Sequence, residues 1–174
     1  TLQMWHVFGT TVFQNRTTKA PEFPRNPEEN QDAGSTDLNI MRLRMLRNKS
    51  GPSGFSLEIL VSQSEGILDY LTEFYYVKTR KNYGIGGNDR NYFFDLRPDV
   101  SLSRTTVRGK LKEDARLRRV ANITAEMCQI QEFHPGAREY MMTPAQLFER
   151  IKELGYDWDR LLDTRGWWTY DNDK

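Results

Sequence analysis

Apolar and polar positions alternate twice in the first third of the chain. Over residues 38–46, Met41, Leu43 and Met45 fall on one face and Ile40, Arg42 and Arg44 on the other, and Phe55, Leu57, Ile59 and Val61 alternate again. A period of two is that of a pleated strand, so these stretches predict two strands of one sheet with one better-buried face. The string Arg-Asn-Lys-Ser-Gly-Pro-Ser-Gly at 47–54 is rich in turn formers and predicts the hairpin connection. Upstream, residues 1–14 are apolar, aromatic and β-branched, a buried element running into a strand, with Gly9 marking a change of pitch. Residues 15–37 turn polar, with Pro21, Pro24 and Pro27 and the acids Glu22, Glu28, Glu29, Asp32 and Asp37. That composition predicts a long, mobile, acidic loop.

Beyond residue 62 the period lengthens. Residues 66–77 predict a short helix ending in aromatics, and 83–96 a small hairpin turning at Gly86-Gly87-Asn88-Asp89. Helical spacing runs through Val107 and Leu111, then through Leu117, Val120, Ile123, Met127 and Ile130, which predicts helices over 103–112 and 115–133. Thr143-Pro144-Ala145-Gln146 is a capping box with proline at the first helical position, and Gly155 supplies the stop. The expected class is therefore α+β, with strands over 1–62 and a small, mostly helical unit over 63–174. No internal repeat or low-complexity tract interrupts this order.

Length and charge narrow the possibilities. A chain of 174 residues holds one domain with a substantial core, or one and a half small ones. Its 25 Lys+Arg against 24 Asp+Glu leave a net charge of +1, so any site for a polyanion must be local. No apolar run approaches the ~18 residues that a membrane span requires, and no membrane partner is expected. The single Cys128 excludes a disulfide framework and a thiolate metal site and reads as a core cysteine. It fits a reducing compartment, so a cytoplasmic location is expected. His6 and His134 have no metal-ligand spacing to each other or to Cys128, and no metal site is expected. No Gly-x-x-x-x-Gly-Lys-Ser/Thr string occurs, so this chain alone should not hydrolyse ATP. It opens on Thr1 rather than methionine, and a segment upstream is expected.

Two groups of cations are candidate chemistry. The segment 103–119 carries Arg104, Arg108, Lys110, Lys112, Arg116, Arg118 and Arg119 against only Glu113 and Asp114. Such density suits phosphate contacts, and it equally suits a solvated helical face making surface ion pairs. Arg47 and Lys49 lie two apart at a strand end, so both can point the same way off the sheet. The C-terminal Tyr156, Trp158, Trp167, Trp168 and Tyr170 are interleaved with acids that repel a phosphate backbone, and read as packing of a terminal helix.

In order and in short motifs, residues 1–130 resemble the C-terminal part of a RecA-type recombinase of the RecA and phage UvsX-like kind. Leu2-Gln3-Met4-Trp5 is similar to the family's Leu-Lys-aromatic-aromatic helix start, Arg47-Asn48-Lys49 to its Lys-Asn-Lys, and Ser64-Glu65-Gly66-Ile67 to its Gly-Glu-Gly-Ile. Met4 and Arg47 depart from the family pattern, the loop at 15–37 is longer, and 137–174 has no counterpart. The resemblance implies the last strands of a RecA-like ATPase sheet followed by a small C-terminal domain, within an enzyme of DNA recombination and repair that forms filaments on DNA. It implies ATP with magnesium as cofactor, held mainly by residues outside this chain, and DNA and other copies, or the N-terminal part, of the ATPase as partners. Arg47 and Lys49 would act in trans on a neighbour's nucleotide, Met4 and Trp5 would lie at a subunit interface, and the cations of 104–119 would guide duplex DNA. Asn48 to Gly54 also resembles the end of a DnaB-type helicase motor. A non-enzymatic subunit that binds nucleic acid or an acidic partner through its basic helices is the alternative from another class.

Overall fold

A computed structural model describes residues 4–13, 22–24, 37–47, 54–88 and 90–164. The class is α+β, and the described residues form two antiparallel sheets and five α-helices. The first sheet has the order β1 (Met4–Val12), β2 (Leu38–Arg47), β3 (Ser56–Ser62) and β4 (Gly66–Ile67). The expected hairpin of β2 and β3 is present, in a register that pairs Met41 with Ile59 and Arg42 with Glu58. β1 pairs with β2 and is strand on both sides of Gly9, so the expected change of pitch does not occur there; its register slips between Met4 and Trp5 and between Val7 and Gly9. Helix α1 (Asp69–Thr79) follows, with Asp69 in its first turn and Lys78 in its last, each placed to suit the helix dipole.

The second sheet is β5 (Ile85–Asn88), β6 (Asn91–Phe94) and β7 (Arg97–Leu102). The hairpin between β5 and β6 needs Gly87. Its φ is 87°, and a Cβ there would stand 1.9 Å from the Asn91 carbonyl oxygen. Asn88 closes the turn by accepting from the Arg90 and Asn91 amides at 3.0 and 3.2 Å. Strand β7 falls on a stretch that gave no strand signal, because Pro98 and the charges around it obscure the alternation.

Helices α2 (Val107–Glu113), α3 (Ala115–Phe133), α4 (Pro144–Glu153) and α5 (Trp158–Asp163) complete the chain. Asp114 caps α3 by accepting from the Leu117 amide, which separates it from α2. The Thr143 and Gln146 capping box starts α4 as expected, and Gly155, at φ 73°, follows its end. Residues 66–67, expected in a helix, pair instead with the end of β3.

One buried cluster runs from Leu38 and Leu60 of the first sheet through α1, the second sheet, α2 and α3 to Leu162 of α5. Phe74 is its hub, in edge-on contact with Phe23, Tyr92 and Phe94 at centroid distances of 5.7–6.0 Å. Phe23 is fully buried, so the expected mobile loop at 15–37 touches the core at its centre, and Asp37 at its end is also held. Residues 14–21 and 25–36 lie outside the described residues. Cys128 is buried, as expected of a core cysteine. Among the described residues, no helix is long and apolar enough to cross a membrane.

Candidate functional site

Arg47 stands at the last position of β2, the strand flanked on both sides in the first sheet, and its backbone pairs with Met4 of β1. Its side chain is exposed and makes no hydrogen bond or ion pair with any described residue. Lys49 and Asn48, expected to act with it, lie outside the described residues. The backbones of Met4 and Trp5 are strand positions opposite Arg47 and Met45, where the resemblance implied a helix start.

The basic segment divides into cations held inside the molecule and cations left at its surface. Arg108 is 3% exposed. Its guanidinium donates to Asp37 Oδ2 at 3.0 Å and to Glu65 Oε1 at 2.6 Å, while Lys112 Nζ stands 3.2 Å from Glu65 Oε2. The other Asp37 oxygen accepts from the Ser62 and Ser64 hydroxyls at 2.9 and 3.2 Å. Burial pushes the Glu65 carboxyl up, but the hydrogen bonds from Arg108 and Lys112 outweigh it and hold the pKa below its ordinary value. This network joins the turn between β3 and β4 to α2, and the burial of Arg108 takes it out of reach of a phosphate backbone.

A second network ties α5 to α3. Arg116 grips Asp163 with two parallel bonds, Nε to Oδ1 at 2.7 Å and Nη2 to Oδ2 at 2.8 Å, and its third nitrogen stands 2.9 Å from Asp159 Oδ2. That hydrogen bonding lowers the Asp163 pKa. Nearby, Arg97 faces Asp99, Asp114 and Asp159 at 3.9–4.0 Å, and its buried Nη1 has no hydrogen-bond partner among the described residues. Trp158 Nε1 donates to the Leu96 carbonyl at 2.7 Å, which fixes the other side of α5 on the second sheet. This is the terminal-helix packing expected of Trp158. Trp167, Trp168 and Tyr170 lie outside the described residues.

Of the remaining cations two are exposed and two half-buried. Lys110 is exposed and donates to the Ser101 carbonyl at 2.7 Å, and Arg118 is exposed with no partner among the described residues. Arg104 is half-buried and reaches the Glu22 carbonyl at 3.4 Å, and Arg119 bonds Asn122 within α3. Seven cations that look alike in sequence thus fall into three environments. The signal that would have separated them is the acidic partner of each, and Asp37, Glu65, Asp159 and Asp163 are 71, 43, 43 and 47 residues away from the arginines they meet. Among the described residues, no group of three or more His, Cys, Asp or Glu side chains could hold a metal ion.

No protein-family model, curated protein or solved structure matches the chain.

Proposed function

We propose that the chain is the C-terminal part of a RecA-type DNA recombination and repair ATPase, in which the first sheet ends the ATPase core and the residues after β3 form a DNA-guiding unit. The observation that carries this reading is the environment of Arg47. An exposed arginine without a partner among the described residues, at the end of a doubly flanked strand, suits an anion brought by another subunit. Its chemistry fits ATP with magnesium. When bound, the nucleotide supplies a γ-phosphoryl group whose negative charge is redistributed during transfer. Arg47 and Lys49 would neutralise that charge from the neighbouring protomer, as trans-acting arginines do. The absence of a phosphate-cradling string in this chain agrees with a nucleotide held mainly by other residues.

The exposed Lys110 and Arg118, with the half-buried Arg104, would meet the phosphates of incoming duplex, whereas Arg108, Lys112 and Arg116 serve the fold. In the whole ATPase, Arg47→Ala should lower DNA-stimulated turnover by about 10³-fold while leaving ATP affinity of the isolated protomer unchanged. Mixing an Arg47→Ala protomer with a protomer whose phosphate loop is disabled should restore part of the turnover, because a mixed interface rebuilds one complete site. Wild-type turnover in the single variant, with no recovery in the mixture, would return the chain to a non-enzymatic interaction subunit.

A further inference from the structure

The β3 strand is sealed along only half of its outer edge. Phe55, Leu57, Ile59 and Val61 sit in the hydrogen-bonded positions of the β2–β3 ladder, as the bonds Met45 N to Phe55 O and Gln63 N to Asp37 O fix the phase. The amides and carbonyls of Ser56, Glu58, Leu60 and Ser62 therefore point away from β2. Leu60 is satisfied on that side: its amide donates to Thr72 Oγ1 at 3.0 Å and its carbonyl accepts from the Leu68 amide at 3.0 Å. Ser62 pairs with Gly66 of β4. Ser56 and Glu58 have no such backbone partner among the described residues, and so present an open edge of four polar groups.

A cleft opens beside this half of the edge. A cavity of about 210 Å³ is lined by Phe55, Thr72, Tyr76, Ala125 and Phe133, and a second of about 230 Å³ continues past Tyr75, Thr79 and Arg80. The first cavity is mostly apolar, but its wall carries the carboxylates of Glu58 and Glu73 and the guanidinium of Arg80; Glu58 pairs with Arg42 and Arg80 with Glu132. Glu73 accepts from Asn122 Nδ2 at 2.9 Å and has no ion-pair partner among the described residues; Asp69 and Glu126 add negative potential to it, and Arg119, which bonds the other end of Asn122, offsets part of it. Phe133, on the rim, is 37% exposed.

We infer that the open edge at Ser56 and Glu58, with the cleft beside it, docks an extended segment of another protein that pairs with β3 as an added strand and lays an apolar side chain, flanked by a basic one, against Phe133 and Glu73. Main-chain bonds to the strand edge would give affinity, and the cleft would select side chains, the division of labour of strand addition. The unpaired carboxylate asks for a cation, which an apolar partner alone would not supply. A second copy of this chain fits the site less well. Its own β3 edge is closed from Leu60 onward by its own α1, so two copies share a short open stretch with two helices crowding it.

The probe is an N-acetylated, C-amidated peptide Lys-Val-Phe-Val-Lys, titrated into the full chain by calorimetry, with amide exchange followed by NMR. Saturating peptide should slow exchange of the Ser56 and Glu58 amides at least tenfold. An analogue N-methylated at all three central residues should lose binding, since it cannot pair with the edge in either register. Ser56→Pro should weaken binding at least tenfold, and the fold should tolerate it because that amide takes no part in the β2–β3 ladder. Glu73→Gln should weaken the lysine peptide severalfold but leave a norleucine analogue unaffected. The proposal is overturned by absence of binding at millimolar peptide, by equal binding of the methylated analogue, or by concentration-dependent protection of the same amides without peptide, which would mark pairing between two copies.

Discussion

The two charge networks of the basic segment use the same chemistry at opposite levels of burial. At the junction of the first sheet with α2, Arg108 is 4% exposed in its side chain and Asp37 10%, and the pair is closed by the hydroxyls of Ser62 and Ser64. Between α3 and α5, Arg116 is 39% exposed and its partners Asp159 and Asp163 more than half, although the hydrogen-bond geometry is better. Geometry alone therefore does not rank them. Taking charge out of water makes the junction intolerant of a missing partner, whereas solvent screens the α5 tie and leaves little to lose. The junction defines where the sheet meets the helical unit, and the α5 tie fastens a short terminal element that Trp158 and Leu162 already hold.

The largest expected effect is that of Arg108→Ala. Removing the guanidinium takes away the one cation shared by Asp37 and Glu65, leaving Asp37, 10% exposed, with the Ser62 and Ser64 hydroxyls and Glu65 with Lys112, and about 3 kcal/mol should be lost in urea unfolding. The same pair sets an acid limb. The folded pKa of Glu65 lies below the unfolded value of 4.5, so its contribution is present in full above that value and disappears as pH falls through the folded one. The slope of stability against pH below 4.5 should therefore be shallower in Arg108→Ala than in the parent chain. Equal slopes would show that the junction does not hold Glu65 ionised.

Arg116→Ala sharpens the comparison from the other side. Global unfolding should barely move, while amide exchange in α5 should accelerate, and raising the salt concentration in the parent chain should reproduce part of that loosening. A loss of stability equal to that of Arg108→Ala would mean that exposure is not what separates the two networks.

Legibility in the sequence followed the range of the interactions. The Thr143 capping box is present where the sequence predicts it, and the hairpin of 83–96 turns two residues later than predicted, at 88–91. β2 and β3 are strands as their alternation predicts, but the face that packs on the core is the one of Leu38, Ile40, Leu60 and Ser62, opposite to the face of Met41, Leu43, Leu57 and Ile59 expected to be better buried. The strand β7 and the two-residue β4 were hidden, the first by Pro98 and charge, the second because two residues carry no period. Phe23 was legible only as an aromatic out of place in a proline-rich acidic stretch, and its burial against Phe13 and Phe74 is a product of the fold. The candidate site was legible as residue types and not as roles. Arg104 to Arg119 read as one basic patch, yet which of them is neutralised depends on carboxylates brought close by the topology. Arg47 stands out by its place beside a turn, a local signal, and the structure leaves its side chain exposed there.

The most direct measurement is the salt dependence of duplex DNA binding, because it counts the cations that meet phosphates. With Lys110, Arg118 and Arg104 neutralising about two or three phosphates, the log–log slope should lie at roughly −2 to −3, and replacing these three by alanine should flatten it by about one unit for each phosphate no longer neutralised. Arg116→Ala, which removes one charge from the same segment, should leave the slope unchanged. A slope that survives replacement of Lys110, Arg118 and Arg104 but flattens with Arg116→Ala would contradict the division of the basic segment into cations that hold the fold and cations that face a partner.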